Sequence, residues 1–254
     1  MRQITYEQPL NERIRLFLRL DFLFHQIDHT LPCDAAWDSR TTLASLLDVL
    51  NIFSRADLKT EVIMELERMS AGLSRLESTP GVDHKMLSGL LDEIDRLVDL
   101  LHGTQGQIGH SLRQNEFLSS IKQRSTISGG TCDFDLPSYH YWLERPIAKR
   151  QEDLQQWMSG FNNIRAAIAL ILKLIRDSAT STNEIAESGF FQRTLETSAP
   201  FQLIRVTLPE SVSCFAEISG GKHRFTVRFM STNFQDRPTQ SSQDIAFVLT
   251  TCAI

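Results

Sequence analysis

The stretch Glu217–Met230, EISGGKHRFTVRFM, decides how the chain is read. Gly220-Gly221 is a tight-turn signal between two β-type runs. Beyond it, aromatic and β-branched residues alternate with basic ones at a period of two, as expected of a strand with one face buried. Side chains alternate across a strand. Lys222, Arg224, Thr226 and Arg228 therefore share one face, and His223, Phe225, Val227 and Phe229 share the other. The apolar face is expected to enter a core. The other becomes a row of positive charge roughly 20 Å long at the strand rise.

Working outward, further β-type runs cover 189–195, 201–208, 213–218 and 244–252, with a polar loop expected over 233–243. Residues 179–183, Ala-Thr-Ser-Thr-Asn, read as a linker. Everything before it is written at helical period. One long helix is expected over 147–178, about 48 Å at the helical rise. Upstream, helices are expected from Pro9 to the Leu31-Pro32 stop, over 38–53, from Ala56-Asp57 to before Pro80-Gly81, through Met86 to Gly103, over 108–124, and briefly over 138–143. The fold class is thus α+β: an N-terminal helical domain, 1–178, followed by a small antiparallel β domain, 185–254. No internal repeat of fixed period is visible.

The bulk numbers exclude several function classes. The chain has 254 residues, 41% hydrophobic and 22% charged, with a formal charge of -5. A whole-protein nucleic-acid footprint is not expected from that balance. The densest apolar segment, 166–175, contains Lys173 and is flanked by Arg165 and Arg176, so no membrane span or direct membrane insertion is expected. The N-terminal residues carry no apolar signal core, which points to the cytoplasm. Cys33, Cys132, Cys214 and Cys252 lack metal-type spacing and read as free thiols.

Little in the chain points to catalysis. There is no phosphate-cradling glycine motif and no metalloprotease or nucleophile-elbow motif. His25 and His29 stand at i and i+4, a spacing able to hold a metal, but no third ligand is near, and no metal or cofactor is expected. Cys132 and His140 are a nominal thiol–imidazole pair without any sign of an activated thiol or an oxyanion site. They read as a loop thiol and a surface histidine, and the protein reads as a non-enzyme.

The basic row is the sharp feature. Like charges on one strand face repel, so in an acidic chain they call either for acidic neighbours such as Glu217 or for an acidic partner. Arginine offers forked donors to carboxylates. An RNA-binding or regulatory module on the same row is the alternative. It is disfavoured because the aromatics of this strand lie on the opposite face.

Several ordered motifs resemble the ZapD family. They are Pro9-Leu-Asn-Glu12, Leu18-Arg19 with Asp21-Phe22-Leu23, Leu46-Leu-Asp-Val49, Pro80-Gly-Val-Asp83, Gln123-Arg124, and Gly129-Gly130 with Phe134-Asp-Leu-Pro137. His140 with Trp142-Leu143 follows, then Ile218-Ser-Gly through Arg224-Phe225 to Arg228-Phe229-Met230. The resemblance implies a dimeric, non-enzymatic cell-division factor at the midcell ring. Such a factor binds the C-terminal tail of FtsZ, bundles its protofilaments and lowers its GTPase activity. It also implies tail binding by Lys222, Arg224 and Arg228, and a bundling surface that includes Arg19 and His140. At a third position of that surface, where the family pattern has arginine, this chain has Glu116.

Overall fold

A computed structural model describes residues 2–54, 57–196, 199–221 and 223–254. Ala56 and Lys222, both used in the sequence reading, lie outside the described residues. The chain divides into two compact units, Met1–Phe17 with Ile171–Ile254, and Leu18–Leu170.

The first element is a strand, β1 (Gln3–Pro9), followed by α1 (Glu12–Thr30). Asn11 begins that helix by accepting the Ile14 amide on Oδ1 at 2.9 Å, satisfying one of the free first-turn donors. The helices α2 (Ala36–Phe53), α3 (Leu58–Ser74) and α4 (His84–Gly103) follow. Asp57 and Asp83 cap α3 and α4 by accepting the amides of Thr60 and Met86. Next come α5 (His110–Arg113), α6 (Glu116–Arg124) and α7 (Pro137–Leu143). The expected helix over 108–124 is two pieces, because Asn115 leaves the helical path and caps α6, accepting the Leu118 amide at 3.0 Å.

The long helix expected over 147–178 is also two, α8 (Ile147–Ser159) and α9 (Asn162–Asp177), bent by 68°. The bend falls at Gly160-Phe161. Phe161 is fully buried and its ring centroid lies 5.4 Å from that of Phe53, so packing fixes the chain direction there. The amide of Phe161 bonds back to Met158 in a tightened last turn. Both halves are amphipathic, which is why one periodic pattern runs through the break. No single helix among the described residues is long and apolar enough to cross a membrane.

Within the helical unit, Arg150 is a buried tie. Its guanidinium donates to Ser39 Oγ and to the backbone oxygens of Leu143, Arg145 and Asp34, at 2.6 to 3.1 Å. The expected linker over 179–183 is instead part of β2 (Ala179–Ala186), an edge strand that pairs along its whole length with the last strand.

The remaining strands are β3 (Phe190–Thr194), β4 (Phe201–Pro209), β5 (Phe215–Gly220), β6 (Arg224–Ser231), β7 (Thr239–Gln240) and β8 (Ile245–Ala253). They form two antiparallel sheets. One has the order β1-β4-β8-β2; the other has the order β3-β6-β5, with β7 joined to the end of β6. The α+β class expected from the sequence is observed. Both sheets line one core that includes Ile204, Val206, Leu208, Phe225, Val227, Phe229, Phe247 and Leu249. Phe229 and Phe247 meet at 5.0 Å between ring centroids, and Phe191 stands edge-on to Phe247 at 5.3 Å. Beside this core, Glu7 accepts two bonds from Arg176 and faces Arg205 across the sheet, so these half-buried charges neutralise one another.

Candidate functional site: the outer face of the three-stranded sheet

Strand β6 alternates as its sequence demands. Phe225, Val227 and Phe229 are buried, whereas Arg224 and Arg228 are exposed and Thr226 lies half-buried between them. His223 does not join the inward face. It precedes the strand and is exposed, beside the turn that the Gly221 amide closes on the Arg224 carbonyl, although its own carbonyl accepts the Leu195 amide of the neighbouring strand at 2.8 Å. Glycine suits position 220 at this turn: a Cβ there would sit 3.0 Å from Leu10 Cδ2 and 3.1 Å from Phe225 Cβ, tight enough that a neighbour would have to shift.

The register turns the strand into a two-dimensional surface. Arg228 stands between Phe190 on β3 and Glu217 on β5. Thr226 stands between Gln192 and Ser219. Arg224 stands opposite Thr194 on one side and next to the Gly220-Gly221 turn on the other. Two shallow concavities open on this face. One, of about 470 Å³, is lined by Gln192, Ser219, His223, Arg224 and Thr226 among others. The second, of about 300 Å³, is lined by Glu217, Ile218, Ser219, Thr226 and Arg228.

Among the described residues neither Arg224 nor Arg228 has an ion-pair or side-chain hydrogen-bond partner. Glu217 was the natural internal partner, and it is the register neighbour of Arg228, yet no N···O distance within 4.0 Å joins them as an ion pair. Some other charges of the unit are paired. Arg193, one residue from Gln192 but on the other side of β3, is held by Glu184, whose carboxyl is kept below its ordinary range first by the Thr182 hydroxyl and then by Arg193. The two arginines of β6 are therefore free donors presented about 13 Å apart, four residues at the strand rise. A face of this kind can bind carboxylates. It holds no nucleophile with a base, and no group of three metal-ligating side chains occurs among the described residues.

Sequence reasoning did not find Phe190, Gln192 and Ser219. Their signal was the period-two pattern of β3 and β5, but which strand lies beside which is a tertiary fact. Phe190 also changes one step of that reasoning, because it places an aromatic on the same face as the basic row.

The other singled-out residues lie apart from this face. Arg19 is exposed on α1 and His140 is exposed on α7, and the described residues show no hydrogen bond or ion pair between them. His140 Nδ1 lies 3.2 Å from Asp133 Oδ1. Its neighbour Tyr139 points inward, and burial pushes its hydroxyl pKa up to about 12 against the opposing charge of Arg40. Glu116 is exposed in the first turn of α6, where a carboxylate suits the helix dipole. Arg113 is engaged by Gln107 Oε1 at 2.8 Å. Cys132 bonds to Asp135 rather than to His140. His25 turns to the backbone oxygen of Asp21 at 2.7 Å.

Comparison with known proteins gives a consistent picture. A family model described as ZapD, cell division protein, matches residues 18–228. The chain is 44% identical over 252 residues to the cell division protein ZapD of Methylococcus capsulatus, covering 99% of each chain. It is 39% identical over 253 residues to that of Coxiella burnetii, covering 99% of this chain and 98% of the relative. To the protein of the same name from an Azoarcus species it is 38% identical over 251 residues, covering 99% of this chain and all of the relative. With similarity of this extent, the chain belongs to the ZapD family of cell division proteins.

Proposed function

We propose that the protein is a non-catalytic adaptor that binds the C-terminal tail of FtsZ on the outer face of β3, β6 and β5. Lys222, Arg224 and Arg228 supply the positive charge. As a homodimer it joins two tails, bundles protofilaments, stabilises the midcell ring in the cytoplasm and thereby lowers FtsZ GTPase activity. Two weak sites joined in one dimer gain avidity, with effective concentrations on the order of mM, when both tails can be reached at once. Arg19 and His140 belong to a second, bundling surface, on which Glu116 gives this chain a different charge from the family pattern.

The observation that carries this reading is the pair of exposed arginines at β6 without an internal acid on either one. Their forked donors are left without an acid in the free protein, and an acidic ligand would supply one. Membership of a cell-division family supports the choice of a division-ring filament as the partner. Phe190 beside Arg228 favours a second reading, single-stranded RNA stacked on the ring. Glu217 on the other side of Arg228 disfavours it, since a polyphosphate would run against the carboxylate.

Co-sedimentation with polymerised FtsZ, full-length and lacking its C-terminal tail, tests the proposal. The protein is expected to pellet with the first and stay in the supernatant with the second. Equal pelleting with both would move the contact away from the tail. A fluorescence titration with a single-stranded RNA oligomer, expected to show no saturable binding, separates the two readings.

A further inference from the structure

From the same face we infer that Glu217 is a specificity-determining residue, and that the ligand is a mixed-charge extended segment with a basic side chain next to one of its acids. The inference rests on the tail-binding reading above and adds to it the chemistry of the segment recognised. Glu217 and Arg228 are register partners on adjacent strands. Both are exposed, and both line the concavity of about 300 Å³ together with Ser219 and Thr226. Opposite charges at such positions ordinarily close into a cross-strand pair. Here no N···O distance within 4.0 Å joins them, and Glu217 has no other ion-pair partner among the described residues. The surface therefore presents a cation and an anion side by side, each with its hydrogen-bonding capacity unused.

The neighbouring rows define what fits. Arg224, about 13 Å along the strand, has no carboxylate opposite it, only Thr194 and the glycine turn. Between the two arginines runs a neutral row, Gln192, Thr226 and Ser219, whose amide and hydroxyls can bond to a peptide backbone. The face thus reads acid, then backbone, then acid with a base beside it. Strands lie about 4.8 Å apart, so the ligand's base must sit within one or two residues of the acid that reaches Arg228. A purely acidic segment would meet Glu217 with like charge. Glu217 thereby fixes the register of the bound segment and rejects acidic chains that lack the base.

The sign of one substitution separates this from simple attraction to acid. Full-length protein carrying Glu217→Gln or Glu217→Lys is titrated with a fluorescent FtsZ tail peptide. Recognition of a mixed-charge segment predicts about threefold weaker binding for Glu217→Gln and about tenfold weaker for Glu217→Lys, the scale of an exposed ion pair lost and then reversed. It further predicts that replacing one basic residue of the peptide by Glu restores affinity for Glu217→Lys while weakening binding to the wild type. Recognition of acid alone predicts the opposite, tighter binding by Glu217→Lys. Unchanged or tighter binding to that variant, with wild-type affinity intact, overturns the inference and leaves the tail-binding reading standing. Absence of peptide binding by the wild type overturns both.

Discussion

Replacing Arg228 and Arg224 with glutamine is expected to cost binding without costing stability, and the structure sets both magnitudes. A hydrogen bond to a charged group is worth about 1.5–3 kcal/mol when formed in a shielded place. On a solvated face the value falls to about 1 kcal/mol. Each single Arg→Gln change should therefore weaken tail binding about fivefold. The two side chains are about 13 Å apart along β6, far enough for their effects to add, so the double variant should be about 25-fold weaker. Arg228→Glu should do more than Arg228→Gln, because it sets a second carboxylate opposite Glu217 and inverts the charge offered to the ligand. The fold should hardly notice the glutamine changes, since both side chains are exposed and unpaired among the described residues. Surface changes of this kind shift stability by no more than about 0.5 kcal/mol. Peptide titration by fluorescence anisotropy in 0.15 M salt, with thermal melts by circular dichroism alongside, reads both quantities. Raising salt toward 1 M shortens the screening length from about 8 Å to about 3 Å, and should bring the wild-type affinity down toward that of the double variant. Single variants binding within twofold of wild type, or losses that follow a fall in melting temperature, would refute the assignment of this face.

Three further outcomes concern buried side chains of the β unit. Phe229→Ala, one residue from Arg228 but fully buried in the shared core, should cost about 3–5 kcal/mol and melt the β unit, seen as an early transition in the melting curve. Burial pushes the Cys252 thiol up to about 11, so the native state keeps its proton where the unfolded chain has lost it. Stability is therefore fully present below about pH 9 and falls as pH rises from there through 11, and Cys252→Ala should flatten that slope in denaturant titrations at pH 8 to 11. At pH 8 the same thiol should react with a thiol reagent only on unfolding, well after Cys33 and Cys132.

The parts of the fold written in local pattern were legible in the sequence. The alternation of 224–229 fixes which β6 residues are buried, and it does so because the strand has one wet face and one dry one. The helix start read at Asp57 is local in the same way, since Asp57 caps α3. What depends on distant packing was not legible. The α8–α9 bend is set by Phe161 against Phe53, a contact between residues more than a hundred positions apart, and the apolar period is blind to it. Strands β1 and β2 look like a helix lead-in and a linker. They become strands only because β4 and β8 offer ladders to them. The candidate site divides in the same way: its arginines could be read from one strand, whereas Phe190, Gln192 and Ser219 come to them through pairing.

The proposed binding of a segment that bears acids by an acidic protein requires an account of its electrostatics, and the distribution of charge supplies one. In the unit that carries β6, eleven Lys and Arg stand against ten Asp and Glu, a net of +1, so the remaining -6 of the total of -5 lies in the helical unit. At physiological salt a charge is felt over about 8 Å. A ligand at the arginines is therefore governed by the residues of this face and not by the chain as a whole. Of these, Glu217 is the one carboxylate in register with Arg224, Thr226 or Arg228 among the described residues. Its position makes the local balance adjustable by a single side chain. With the buried partners of β6 fixing the backbone, changes at 217, 224 and 228 can tune affinity and selectivity without disturbing the core. The consequence is directional: in this family, sequence change on the outer face should alter which segment is bound, whereas change on the inner face should alter whether the unit folds at all.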